Sequence, residues 1–468
     1  MTSLLDLKLD RSAKISLAEQ IRLGVLAAIG SGALAPGARL PSWLALAAQL
    51  GVARGTVKAA YERLADDQMI VSSSPGGTRV AARPPLTGPS ARDGKSDTAP
   101  EAFRHLLTAP AMFQMGVPAS DCFPTTLFAR LRAHAARMEV AAPATYPDPR
   151  GEAALKREIA AHLALARGLE CRPSQVFITA GFTGALALVV RVLGVEGRSA
   201  WMENPGFFQS RRALELAGLA PVPVPVDAEG MDVAHAIAQA PDAALALVTP
   251  GQQAPLGATL SLERRIALIE WAARTNAWIV EDDYLGELQL RRRAAPALAA
   301  RDRHGRVIHI GSFSKTLSPT LRLGFIVAPP ALVDRFNDMV MCLGSSPGPA
   351  VQHAVARFMR EGHYMRHLRR MKRIYAARGE ALRAAWEARG YDVQLGGLAA
   401  ILRLPDHTPD AAIAEEARRH GIAPEPLSRW FAEGTPAARG LLLGVATADE
   451  AQLAEACERL HALIRRAM

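Results

Sequence analysis

The stretch Val307–Val327 reads VIHIGSFSKTLSPTLRLGFIV. Val307–Ile310 is an uninterrupted apolar and β-type run, and Gly311 ends it. Ser312, Ser314 and Lys315 follow, with Arg322 seven residues beyond the lysine. Phe325–Val327 is a second strand candidate. Working outward, Val176–Thr179, Leu245–Val248 and Trp278–Val280 have the same character, and Leu262–Thr275 between two of them is helical in pattern. Strands alternating with helices predict an α/β unit with a mainly parallel sheet.

A lysine at a strand end, beside hydroxyls and an arginine, suits two tasks. Its amine can form an imine with a carbonyl, and the guanidinium and hydroxyls can hold a phosphate dianion. Pyridoxal phosphate needs that combination. WIVEDDY at Trp278–Tyr284 puts Asp282 at the end of a buried strand. A carboxylate there keeps a pyridine nitrogen protonated, and Tyr284 can reach a ring hydroxyl. TAGFTGAL at Thr179–Leu186 sets small residues and Thr183 at a strand-to-helix turn, where a helix N-terminus favours phosphate by ~0.3–1 kcal/mol. Each feature alone has a plainer reading: a lysine among serines is usually surface, and Asp-Asp-Tyr usually caps a strand. Their order and shared strand-end placement favour the cofactor.

The chain of 468 residues is long enough for two or three domains and for a large core without disulfides or metals. With 49% hydrophobic and 21% charged residues, wholesale disorder is excluded. Cys122, Cys171, Cys342 and Cys457 form no C-x-x-C pair, so neither a zinc ribbon nor a dithiol motif is expected. The twelve histidines show no ligand spacing, and no metal is expected. The start, MTSLLDLKLDRSAK, has no secretory apolar core, and the longest uncharged spans are broken by polar residues, Gly and Pro. The expectation is a cytoplasmic protein with no membrane partner. The charge runs Arg291–Arg293 and Arg369, Arg370, Lys372, Arg373 read as solvated faces, and His353–His367 as a helical surface.

The net charge of +10 permits a polyanionic partner. Residues 1–85 carry ten Lys or Arg against six Asp or Glu. Leu17–Ser31 is amphipathic, with Leu17, Ile21, Val25 and Ile29 at four-residue spacing. Ser42 is placed as a cap for a short helix, Trp43–Leu50, and Gly51-Val52-Ala53 joins it to Arg54–Asp66. A tight glycine-containing turn between two short helices predicts a helix-turn-helix, whose second helix presents Arg54, Thr56 and Lys58 to base edges and phosphate. A helical bundle with a solvated basic face is the alternative. Met69–Val71 and Thr78–Ala81 are strand candidates around SSSPGG, a tip suited to a minor groove. Pro84–Pro100, rich in Pro and Gly and poor in apolar residues, reads as linker.

The N-terminal sequence from SLAEQIRLG to GGTRV resembles the winged helix-turn-helix of GntR-type bacterial transcription regulators. The resemblance implies DNA contacts at Arg54, Thr56, Lys58, Gly77 and Thr78. Such heads usually carry an arginine just after the proline, whereas Pro41-Ser42-Trp43-Leu44 places Leu44 at the position that often meets DNA. Residues 110–468 resemble fold-type I aminotransferases. The resemblance implies that Lys315 forms the imine, Asp282 faces the pyridine nitrogen, Tyr284 lies near the ring oxygen, and Ser312, Arg322 and Thr183 bind phosphate. It also implies that Tyr146, in TYPDPRG, crosses to a neighbouring subunit's phosphate and that Phe207, in ENPGFFQ, stacks on the ring. Two stretches depart from the pattern. GQQAPLG at Gly251–Gly257 replaces the usual polar ring contacts, and GLLLGVA at Gly440–Ala446 lacks the carboxylate-gripping arginine, with Arg439 nearby.

A GntR-like head at 1–83, a linker at 84–108 and an aminotransferase-like domain at 109–468 resemble the MocR subfamily of GntR regulators. This implies a pyridoxal 5'-phosphate-dependent regulator of promoter DNA that senses an amine, an amino acid or the cofactor itself. It also implies a head-to-tail homodimer, with no physiological turnover expected. The alternative is a working aminotransferase with a DNA-binding module, which the intact Lys315, Asp282 and Arg322 allow.

Overall fold

The computed structural model describes residues 7, 9–13, 15–73, 77–82, 110–286, 288–290, 295–344 and 346–468. The expected linker at 84–108, the tip residues 74–76 and the run Arg291–Arg293 lie outside the described residues. The chain forms two compact units, Met1–Thr108 and Ala109–Met468.

In the first unit, α1 (Leu17–Gly30), α2 (Trp43–Leu50) and α3 (Arg54–Asp66) precede a hairpin of β1 (Ile70–Ser73) and β2 (Gly77–Val80). Ser16 and Ser42 cap α1 and α2 through their side chains, and Gly51 ends α2 in the left-handed region. The buried residues Ile21, Val25, Leu46, Val57, Ala60 and Leu64 unite the three helices over one small core. Both strands start a residue away from the sequence expectation. Met69 N donates to Leu64 O (2.9 Å), so Met69 closes the helix before the strand opens.

The second unit is built on an eight-stranded sheet ordered β3 (Val176–Thr179), β10 (Gly324–Val327), β9 (Val307–Ser312), β8 (Trp278–Asp283), β7 (Leu245–Val248), β4 (Ser199–Asn204), β5 (Ala220–Asp227) and β6 (Gly230–Met231). Adjacent pairs from β9 to β5 are parallel, and β10 runs antiparallel to both β3 and β9. β3, β7 and β10 are buried on both faces, which explains their continuous apolar sequence. Helices Gly181–Leu193 and Leu262–Thr275 pack into the cores that cover this sheet. A second, antiparallel sheet is ordered β11 (Val393–Gly396), β12 (Ala399–Arg403), β14 (Gly440–Gly444) and β13 (Glu425–Pro426). Among the described residues no helix is long and apolar enough to cross a membrane.

His367 corrects the reading of His353–His367 as a surface. It is buried on helix His363–Glu387, and its Nε2 lies 2.7 Å from Thr316 O. Arg369, Arg370 and Arg373 on the same helix are exposed, and Lys372 is half-buried.

Candidate functional site

The parallel strands of an open α/β sheet deliver loops to one edge, at their carboxyl ends. β8 ends at Asp282 and Asp283, β9 at Ser312, β3 at Thr179 and β4 at Asn204. Lys315 follows β9, and its Nζ donates to Gly116 O at 2.6 Å. Burial pushes the Lys315 amine below its ordinary range, and Asp282 opposes that shift. Burial also holds the Asp282 carboxyl well above the usual range; Asp283 and Glu203 add to the effect and Lys315 counters it. Asp282 and Lys315 therefore share one electrostatic environment. Tyr284 lies in it too, its phenol pushed up by burial and by Asp282.

The phosphate-type contacts gather on the other side of β9. Arg322, in the left-handed region at φ 48°, donates through one guanidinium nitrogen to Thr183 Oγ1 (3.1 Å) and Ala180 O (3.2 Å). Ala180 is the N-cap of helix Gly181–Leu193 and Thr183 lies in its first turn, whose free amides favour an anion. Gly181 has φ 73°, which an L side chain would strain, so a glycine makes this turn. Ser312 Oγ accepts from Ser314 N (3.2 Å).

Phe207, the residue before helix Phe208–Leu216, packs with Tyr284 on a shared apolar cluster. Tyr146 is fully exposed, at 102%. A buried carboxylate, a lysine amine and an arginine with a hydroxyl at a helix N-terminus form a set of groups that fits pyridoxal phosphate.

Sequence reasoning missed Glu203. It is buried at the end of β4 and accepts from Thr249 N (3.1 Å) and Thr249 Oγ1 (2.5 Å). Burial pushes its carboxyl up to about 7. It also missed Gly116, for which the sequence offers no signal. In GQQAPLG, Gln253 donates to Pro205 O and Ala254 O (both 2.7 Å) and accepts from Leu256 N (3.0 Å), so its amide is spent on the loop itself and on the segment after β4. The strand β14 holds Leu441, Leu442 and Leu443 fully buried, and Arg439 lies 3.4 Å from the buried carboxylate of Asp410.

In the head, Arg54 and Lys58 are exposed at the start of α3, with Thr56 half-buried between them. Lys58 pairs loosely with Glu62 at 3.7 Å. Gly77 and Thr78 open β2, and Thr78 Oγ1 is 3.0 Å from Ser72 Oγ. Arg39 pairs its backbone with that of Arg79 in an isolated antiparallel bridge, and its guanidinium lies so close to Gly77 that a Cβ there would meet it at 3.3 Å.

Residues 127–460 match the family of aminotransferases of class I and II, and residues 17–80 match the bacterial regulatory proteins of the gntR family. The chain is 35% identical to a probable rhizopine catabolism regulatory protein, MocR, of Rhizobium meliloti, over 97% of this chain and 95% of that one. The chain belongs to the MocR subfamily of GntR-type transcription regulators. Within this subfamily it is also 32% identical to the pyridoxine biosynthesis regulator PdxR of Corynebacterium glutamicum, over 94% and 93% of the two chains. Among solved structures it resembles LysN, an α-aminoadipate aminotransferase of Thermus thermophilus complexed with N-(5'-phosphopyridoxyl)-L-leucine, at 27% identity and a TM-score of 0.71. That match covers 79% of this chain and 95% of LysN. An archaeal alanine:glyoxylate aminotransferase, at 24% identity and a TM-score of 0.70, shares the fold over 78% of this MocR-type chain and 93% of its own.

Proposed function

We propose that this regulator binds pyridoxal 5'-phosphate in its large unit and promoter DNA through its head, and that the large unit senses a small amine or the cofactor itself. The observation that carries the reading is the gathering of Lys315, Asp282 and the Arg322–Thr183 pair at one edge of one sheet. Lys315 would hold the cofactor covalently, Asp282 would face its ring nitrogen, and Arg322, Thr183 and Ser312 would take its phosphate. When bound, pyridoxal phosphate supplies an electrophilic carbon that captures primary amines. The chain's own task is to keep the Lys315 amine available, and burial favours its neutral form. The full exposure of Tyr146 supports a role toward a second copy, as a head-to-tail dimer requires. The exposed Arg54 and Lys58 at the start of α3, with Gly77 and Thr78 on the hairpin, support its placement on DNA.

Binding at the large unit would be coupled to DNA affinity by about 1–3 kcal/mol, enough to change promoter occupancy. The test is selection from a random duplex pool, followed by anisotropy of the enriched duplex with and without pyridoxal phosphate. Failure of any sequence to enrich, with no visible band on adding the cofactor, rejects the proposal. If the cofactor alone changes DNA affinity, it is the signal, a reading that the likeness to a pyridoxine biosynthesis regulator supports. The intact Lys315 and Asp282 also favour a second reading, a working aminotransferase. Repeated turnover of an amino donor with a keto acid would establish that one.

A further inference from the structure

We infer that the site takes a primary amine with an apolar body and no carboxylate. This rests on the proposed cofactor site and names the class of effector it would accept.

The first observation is a wall. Around Phe207 and Tyr284, the half-buried Met115, Leu256 and Phe431 pack on a fully or nearly buried floor that includes Ile401, Trp430 and Leu442. Met115 immediately precedes Gly116, whose carbonyl receives the Lys315 Nζ hydrogen bond, so the apolar face begins beside the reactive amine. A polar body set against this face would lose water without gaining partners.

The second observation concerns the cations at its border. Arg211 donates to Trp430 O (2.9 Å) and Phe431 O (3.1 Å). Arg429 stacks over the Phe208 ring at 4.6 Å and lies 3.7 Å from Glu425. Arg439 is paired with Asp410, and Arg322 is assigned to the phosphate in the proposed cofactor site. Each of these guanidinium groups is engaged elsewhere, so none is free to make the paired contact that orients a carboxylate.

Apolar surface and committed arginines together select for an alkyl or aralkyl amine.

The test is a spectral titration of the full chain loaded with pyridoxal phosphate, using matched pairs: 3-methylbutylamine against leucine, and ethanolamine against serine. Each pair differs by one carboxylate, and the pairs differ in the body. We expect 3-methylbutylamine to perturb the cofactor band at a concentration at least about tenfold below that of leucine and of ethanolamine. Leu256→Ser should raise the 3-methylbutylamine midpoint about tenfold and leave that of ethanolamine within about twofold. Equal or tighter response to leucine, equal response to ethanolamine, or no response to any amine overturns the inference while leaving cofactor binding intact. A chain that takes up no cofactor overturns both.

Discussion

Lys315 Nζ is hydrogen-bonded to the carbonyl of Gly116 at 2.6 Å, which ties the amine to the segment that opens the second unit. The same segment is fastened to the antiparallel sheet: Gly444 N donates to Phe113 O (2.7 Å), and Thr447 Oγ1 to Gln114 O (3.1 Å). The lysine is thus in contact with both sheets through one short strap. Engaging Lys315 elsewhere removes the donor from Gly116.

That bond makes Lys315→Ala informative on two counts. Treatment with borohydride and intact mass measurement should show cofactor fixed to the native chain and none to the variant. DNA affinity of the variant without cofactor should match the native value within about twofold, because the head folds over its own core. Cofactor fixed to the variant would assign the attachment to another lysine.

Arg322→Ala should weaken pyridoxal phosphate by about 10–150-fold, the cost of one charge-assisted hydrogen bond. Pyridoxal, which lacks the phosphate, should lose less than about threefold, since the Arg322 guanidinium is hydrogen-bonded at the helix turn, to Ala180 and Thr183. Equal loss for both ligands would mean that the arginine holds the loop and not the phosphate.

These predictions use residues that were legible in the sequence, and the reason is local. Lys315, Asp282 and Arg322 follow apolar runs whose strand character is plain, and β3 and β7 run between the residues the pattern selects. β8 extends to Asp283, beyond the apolar run, because its last carboxylates are neutralised across long separations. Glu281 accepts from Leu298 N (2.7 Å) and Ala299 N (3.0 Å) and pairs with His309, while Asp283 pairs with Arg167. Glu203 was hidden for the same reason: Thr249 and Gln253 are 46 and 50 residues away. The reversal of β10 leaves no trace in composition, since a strand buried on both faces reads alike in either direction.

Glu203 gives a pH prediction. Its folded pKa, raised by burial to about 7, exceeds the ordinary 4.5, so the folded chain retains a proton that the unfolded chain releases. Its contribution is fully present below the unfolded pKa and is lost as pH rises through 7. Glu203→Gln keeps the shape and removes the titration. The stability difference between variant and native chain should shift in favour of the variant by up to about 3 kcal/mol from pH 4.5 to pH 8. A pH-independent difference in denaturant midpoints would show that folding does not raise the Glu203 carboxyl.

Arg167 and Asp283 form a buried ion pair at 2.7 Å, and Arg167 also donates to Ala295 O, binding the end of helix Ala153–Arg167 to the strand that carries Asp282. Removing one partner leaves a buried charge. Arg167→Met and Asp283→Asn should each destabilise the second unit by about 3–5 kcal/mol, while the double variant should cost less than their sum. Strict additivity would mean that the two charges do not act as a pair.

Arg54 begins α3 with its side chain exposed, and Lys58 lies one turn on, loosely paired to Glu62. A base-reading arginine and a phosphate-binding lysine fail in different ways. Arg54→Ala should cost about 1–3 kcal/mol on the selected duplex and relax preference at one or two base positions. Lys58→Ala should weaken all duplexes alike and lower the slope of affinity against salt by about one. Leu44, half-exposed on α2, gives the complementary gain: Leu44→Arg adds a cation at the preceding helix and should steepen that slope by about one. If Leu44→Arg and Lys58→Ala both leave the slope unchanged, α2 and α3 do not face the duplex, and the hairpin with Arg39 and Arg79 becomes the contact surface.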